Sequence, residues 1–160
     1  MRGGFWPPAL LCAALAFALA FAPARVRVPA LVVLVVTAIL INLVAFPPAW
    51  HELIFAGCWI SVALTALAVH FKTMTTRTPA VMLAANTGLW AGAVTAIAGT
   101  PQDLARALPV ALLAWPDGWL VTHRAGIAVK VLASWLIAVA ILVAALPIVP
   151  TPGYMQDHME

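Results

Sequence analysis

The sequence predicts an all-α integral membrane protein, a polytopic bundle of five spanning helices, or six if residues 101–123 also cross. Three observations carry that prediction. Apolar residues make up 65% of the chain and charged residues 8%, against roughly 25% charged in a soluble domain. The apolar residues are gathered into five blocks, at 8–22, 28–46, 52–71, 79–99 and 125–148. Nearly every charge falls in the short gaps between them. A soluble domain of this size still exposes about 30% of the surface of its unfolded chain, so one aqueous core cannot hide so much apolar surface. Residues 1–149 are therefore expected to form a single transmembrane domain. Residues 150–160 are a short tail, too short to fold alone and either frayed or docked on a partner.

The first block, 8–22, is the shortest, and Pro7 and Pro8 suit a helix start. Arg2 and Ala20-Phe21-Ala22 also have the layout of a secretory signal. Cleavage there would fall before Pro23, an unfavourable place to cut, so a retained helix is expected. At this length it should sit in thin bilayer or begin at the interface. The second block, 28–46, is bounded by Pro29 and by Pro47-Pro48. Its Val and Ile would favour a strand in water, but in lipid only a helix satisfies every backbone group of a lone span. The third, fourth and last blocks have about the 20 residues needed to cross about 30 Å of hydrocarbon.

Residues 101–123 pose a conflict. The apolar run from 104 to 115 is too short to cross and is interrupted by Pro109 and by Pro116-Asp117-Gly118. On length, the segment is expected to be interfacial or re-entrant. Charge argues for a crossing. With the amino terminus outside, Arg25, Arg27, Lys72 and Arg77 lie inside, and His51, Glu52, Asp103 and Arg106 outside, as the positive-inside rule requires. A sixth crossing would bring Arg124 and Lys130 inside as well. Lys130, near the start of the last block, can snorkel to the headgroups.

Tryptophans mark the interfaces. Trp6 and Trp50 fall at one face of the proposed first hairpin, and Trp115 and Trp119 flank the Pro-Asp-Gly sequence, which is expected to turn near headgroups. The best-defined pattern is on the fourth block. Ala80, Ala84, Gly88, Gly92, Ala96 and Thr100 recur every four residues, a small-residue ridge of the kind that lets two helices approach closely in lipid. The ridge is expected to pack on the second, third or last span, or on another subunit.

Polar residues within spans are few. Ser61 and Thr65 share one face of the third block, and Asn86, Thr87 and Thr95 lie in the fourth, with Asn42 near the end of the second. Ser61, Thr65, Asn86 and Thr87 are the candidates for a solute path, although interhelical or same-helix hydrogen bonding is the favoured reading of them. A path normally adds an ionisable group or a broken helix at mid-depth, and no carboxylate is expected there. His70 and His123 could face each other under six crossings and hold haem iron. Both lie beside basic residues at span ends, where a histidine needs no ligand, so no cofactor or metal is expected. Cys12 and Cys58 fall inside apolar blocks and are expected to be buried thiols.

The net charge of +3 comes from basic residues scattered singly and in pairs. Nucleic-acid binding needs a clustered basic face, and none occurs. Six arginines against two lysines, with heavy use of alanine, valine and proline, suggest a GC-rich bacterial genome and hence a bacterial cytoplasmic membrane. The expected role is a non-catalytic subunit of a larger membrane complex, partnered by the bilayer and by other membrane subunits or further copies of itself. The alternative is a small transporter or channel using spans three and four. A holin-like lysis protein ranks lower, since the tail is acidic where a basic one is usual. No enzyme is expected.

Overall fold

The computed structural model of the chain describes residues 4–71, 76–123 and 126–146. Lys72, Arg124 and the tail 150–160, each assigned a place above, lie outside the described residues. All the regular elements described are helical: α1 (Trp6–Ala20), α2 (Ala24–Asn42), a 3-10 turn (Pro48–Trp50), α3 (His51–Ala68), α4 (Arg77–Ala98), α5 (Pro101–Ala107), a 3-10 stretch (Leu108–Leu113), α6 (Ala114–Thr122) and α7 (Gly126–Ala145). Four helices are long and apolar enough to cross a membrane, spanning Ala24–Asn42, Pro48–Ala68, Arg77–Ala98 and Gly126–Ala145.

Contacts at the helix ends give the packing order. The Gly4 amide donates to the Ala98 carbonyl at 3.1 Å, so α1 begins where α4 ends. Asn42 Nδ2 reaches the Gly92 carbonyl at 3.4 Å, placing the end of α2 at the same end of the bundle. At the opposite end, Arg27 of α2 binds the last carbonyls of α1 and lies against Gly118 of α6. His70, just past α3, meets Ser134 of α7 there at 3.4 Å. The helices therefore run alternately up and down.

The shortest apolar helix is the axis. Twelve of the fifteen residues of α1 are buried, against four of nineteen in α2 and four of twenty in α7. A helix of 15 residues is about 22 Å long, shorter than the four helices of spanning length. Its alanines make it a thin cylinder that α3, α4, α6 and the 3-10 stretch can all approach.

The boundary of α2 also moves. It starts at Ala24 rather than 28, with Pro29 just over one turn inside. At that position the missing N–H affects only the Arg25 carbonyl at the helix end, so proline is tolerated and both arginines become helical. α2 stops at Asn42, leaving Phe46 and the Pro47-Pro48 pair to form the turn into α3.

Residues 101–122 form a continuous helical path alongside α1, bent by its 3-10 middle. Sixteen α-helical and six 3-10 residues make a path of about 36 Å contour at their usual rises, running from the end of α4 to Arg27 at the opposite end of the bundle. Pro116-Asp117-Gly118 is not a turn but lies inside α6. Pro116 falls in the first turn of α6, where proline is accommodated, and Asp117 sits where the helix dipole favours an acid.

Candidate functional site

The small-residue ridge of α4 faces α2. Ala80, Ala84, Gly88 and Gly92 are buried, and α2 answers with its own period-four row, Val26, Ala30, Leu34 and Ala38. Backbones meet here. A Cβ added to Gly88 would stand 2.6 Å from the Leu34 carbonyl oxygen, and one on Gly92 2.5 Å from that of Ala38. Two interlocking period-four rows are the commonest way for helices to pack ridge into groove. The ridge ends at Gly92, since Ala96 and Thr100 are exposed. Thr100 instead caps α5. Its hydroxyl accepts from the Asp103 amide, and the Asp103 carboxylate accepts from the Thr100 amide at 2.9 Å.

The proposed polar path is divided. Asn86 Nδ2 donates to Ser61 Oγ at 2.5 Å, and Asn86 Oδ1 accepts from Trp90 Nε1 at 3.1 Å. The Trp90 indole fits because Gly57 on α3 has no side chain in its way. Ser61 and Asn86 thus join α3 to α4. Thr65 and Thr87 are fully buried, and their hydroxyls have no hydrogen-bond partner among the described residues. Thr95 bonds back to the Ala91 carbonyl of its own helix.

Trp6, Trp50, Trp115 and Trp119 are all exposed, the first two at the end where α1 begins. Trp119 stacks at a tilt on His123, with ring centroids 4.2 Å apart. The His123 Nδ1 lies 2.9 Å from the Trp119 carbonyl, while His70 lies beside Ser134. The two histidines so have separate partners. Among the described residues no group of three His, Cys, Asp or Glu side chains could hold a metal. Cys12 and Cys58 are buried free thiols.

Two features escaped the sequence. Asp117, expected in an interfacial turn, is 8% exposed, and its Oδ2 has no partner among the described residues. It sits on α6 just after the 3-10 stretch, next to Gly118 and so towards the end of the bundle that Arg27 occupies. Its placement follows from the helical course of Pro116-Asp117-Gly118, which turn-forming composition concealed. The second is Arg27, read only as a topology charge. Its Nε donates to the carbonyls of Leu19 at 3.1 Å and Ala22 at 3.2 Å, and its Nη2 to that of Ala20 at 3.1 Å. The guanidinium closes the carboxy-terminal end of α1, where carbonyls are unpaired and the helix dipole is negative. A side chain on Gly118 would collide with it. No local signal in the sequence pairs Arg27 with a glycine so far along the chain.

No family model, curated protein or solved structure matches the chain.

Proposed function

We propose that this chain is a six-pass, non-catalytic subunit of a larger assembly in a bacterial cytoplasmic membrane, with its amino terminus outside. The observation that carries this is the closed interior. α1 fills the axis, and Ser61 and Asn86, which a solute path would use, are spent on bonding α3 to α4. The ridge of α4 is likewise occupied by α2, so partner subunits or further copies would dock on the outward face of α7. Support for six passes comes from the full-height course of residues 101–122 and from charge. Arg25, Arg27, Arg77 and Lys130 gather at one end, and Glu52, Asp103 and Arg106 at the other, as the positive-inside rule asks of an amino terminus outside.

The test is a mild-detergent pull-down of the tagged chain, with native mass and partner identification. The expected result is a stable assembly larger than the 16.8 kDa chain; a monodisperse monomer with nothing bound would overturn it. Before extraction, an impermeant maleimide should label Arg106→Cys from outside and spare Thr122→Cys until the membrane is opened. Equal access of both would return the segment to a re-entrant course.

A second function, small-solute transport, is favoured by Asp117, since ionisable groups inside a bundle commonly mark transport routes. Proteoliposome flux that Asp117→Asn reduces would support it. Absence of flux, or flux that ignores this substitution, would remove it.

A further inference from the structure

The basic end of the bundle carries a groove that the packing described above leaves open. Its volume is about 610 Å³, and it lies between the α1–α2 turn and α6, lined by Phe21, Pro23, Arg27, Trp115, Trp119 and Thr122 among others. Arg27 stands at its wall with its guanidinium fixed by the Leu19 and Ala20 carbonyls of α1 and the Ala22 carbonyl of the turn after it, and backed by Gly118. Those bonds use Nε and Nη2, so both N–H groups of Nη1 are without a protein partner among the described residues. Lys130 places a second cation nearby, its Nζ 6.0 Å from the centre of the Phe21 ring. No ion pair joins Asp117 to Arg27 among the described residues, and the Asp117 side chain does not line the groove.

Trp115 also lines a second, wholly apolar trough of about 310 Å³, with Val28, Leu31, Val32, Val35 and Val36. The trough follows α2 away from the basic end. From Val28 to Val36 the helix rises about 12 Å, close to the depth of one hydrocarbon leaflet, half of about 30 Å. A fixed guanidinium with open donors at the headgroup level, two indoles beside it and a chain-length apolar trough beneath match one molecule in charge, polarity and order.

We infer that this site binds an anionic phospholipid from the leaflet at the basic end, with its phosphate on Arg27 between Trp115 and Trp119 and one acyl chain along Val28, Val32 and Val36. The site depends on membrane insertion but not on the subunit role, and a lone monomer would carry it equally well. A bound lipid would tie the α1–α2 turn to α6 across the groove. Gly118 is what lets Arg27 lie flat there.

The test uses the full chain, delipidated in a maltoside detergent, in native mass spectrometry with equimolar phosphatidylglycerol and phosphatidylcholine of identical acyl chains. One phosphatidylglycerol should be retained about tenfold over phosphatidylcholine, because both offer a phosphate but the choline cation of the latter offsets its charge beside Arg27 and Lys130. Arg27→Gln should bring the two lipids level. Because that change also uncaps α1, Val32→Trp serves as a second variant. Residue 32 is exposed, so a tryptophan there fills the trough without entering the core and should lower lipid retention several-fold at an unchanged melting temperature. Equal retention of both lipids by the unmodified chain would overturn the proposal. So would unchanged phosphatidylglycerol retention in both variants. Complete displacement of the lipid by millimolar inorganic phosphate would assign Arg27 to a free anion instead and equally overturn it.

Discussion

Gly88→Leu and Gly92→Leu are expected to prevent accumulation of the folded protein, whereas Ala96→Leu leaves it near normal. For both glycines the nearest neighbour is a backbone oxygen, with the Thr37 side chain beside Gly88 and that of Ile41 beside Gly92 only slightly farther off. An added Cβ would stand 2.6 Å from the Leu34 oxygen at position 88 and 2.5 Å from the Ala38 oxygen at position 92. Neither oxygen can rotate away, so α2 and α4 would have to separate along their whole contact. Overpacking a core costs about 1–3 kcal/mol where side chains can shift, and more is expected where only backbone can yield. Ala96, four residues on in the same pattern, is exposed and can carry a leucine into the surroundings. Ala80 is buried despite its place near the helix start, so Ala80→Leu should be damaging too. Expression level and melting temperature in detergent check all four; similar, harmless behaviour would show that the ridge does not hold α2 to α4.

Deleting residues 1–22 is expected to abolish folding altogether, and Leu15→Ala to cost about 2–5 kcal/mol, the usual range for a fully buried leucine. Leu15 has no exposed surface and sits on the bundle axis among Leu11, Cys12, Ala14 and Ala16, which are equally enclosed. A peripheral span could be lost with its partners still packed together. Loss of α1 instead strips the inner face from α3, α4 and α6 at once. Thermal unfolding in detergent, against Val131→Ala on the exposed face of α7 as control, would measure the difference. A deletion variant that accumulates and melts normally would refute the axial role of α1.

How far these features could be read in advance differs element by element. The blocks at 52–71 and 79–99 became α3 and α4 with only small shifts at their ends. Length and hydropathy suffice there, since an uninterrupted apolar run of that size has no other way to satisfy its backbone in lipid. The period-four row on α4 was equally visible, but the helix facing it was not. Ala30 and Ala38 spaced among valines of α2 are the matching signal, and it carries weight only once the two helices are known to touch. Segment 101–122 resisted because Pro109 and Pro116 were counted as breaks. Against α1 they bend a helical path without ending it.

The amino-acid sequence by itself determined that the chain is helical and which of its long segments are apolar enough to cross a membrane. These are properties of single residues and of run length, set by transfer from water and by the need to pair every backbone group. Tertiary structure alone decided that the shortest apolar helix lies at the centre, that Arg27 closes it, and that Asp117 is buried. In water, a polar face would have told the inner side of each helix from the outer. In lipid both sides are apolar, so the choice passes to side-chain volume and close backbone approach; the period-four row of α4 marks such an approach in the sequence, but not which helix faces it.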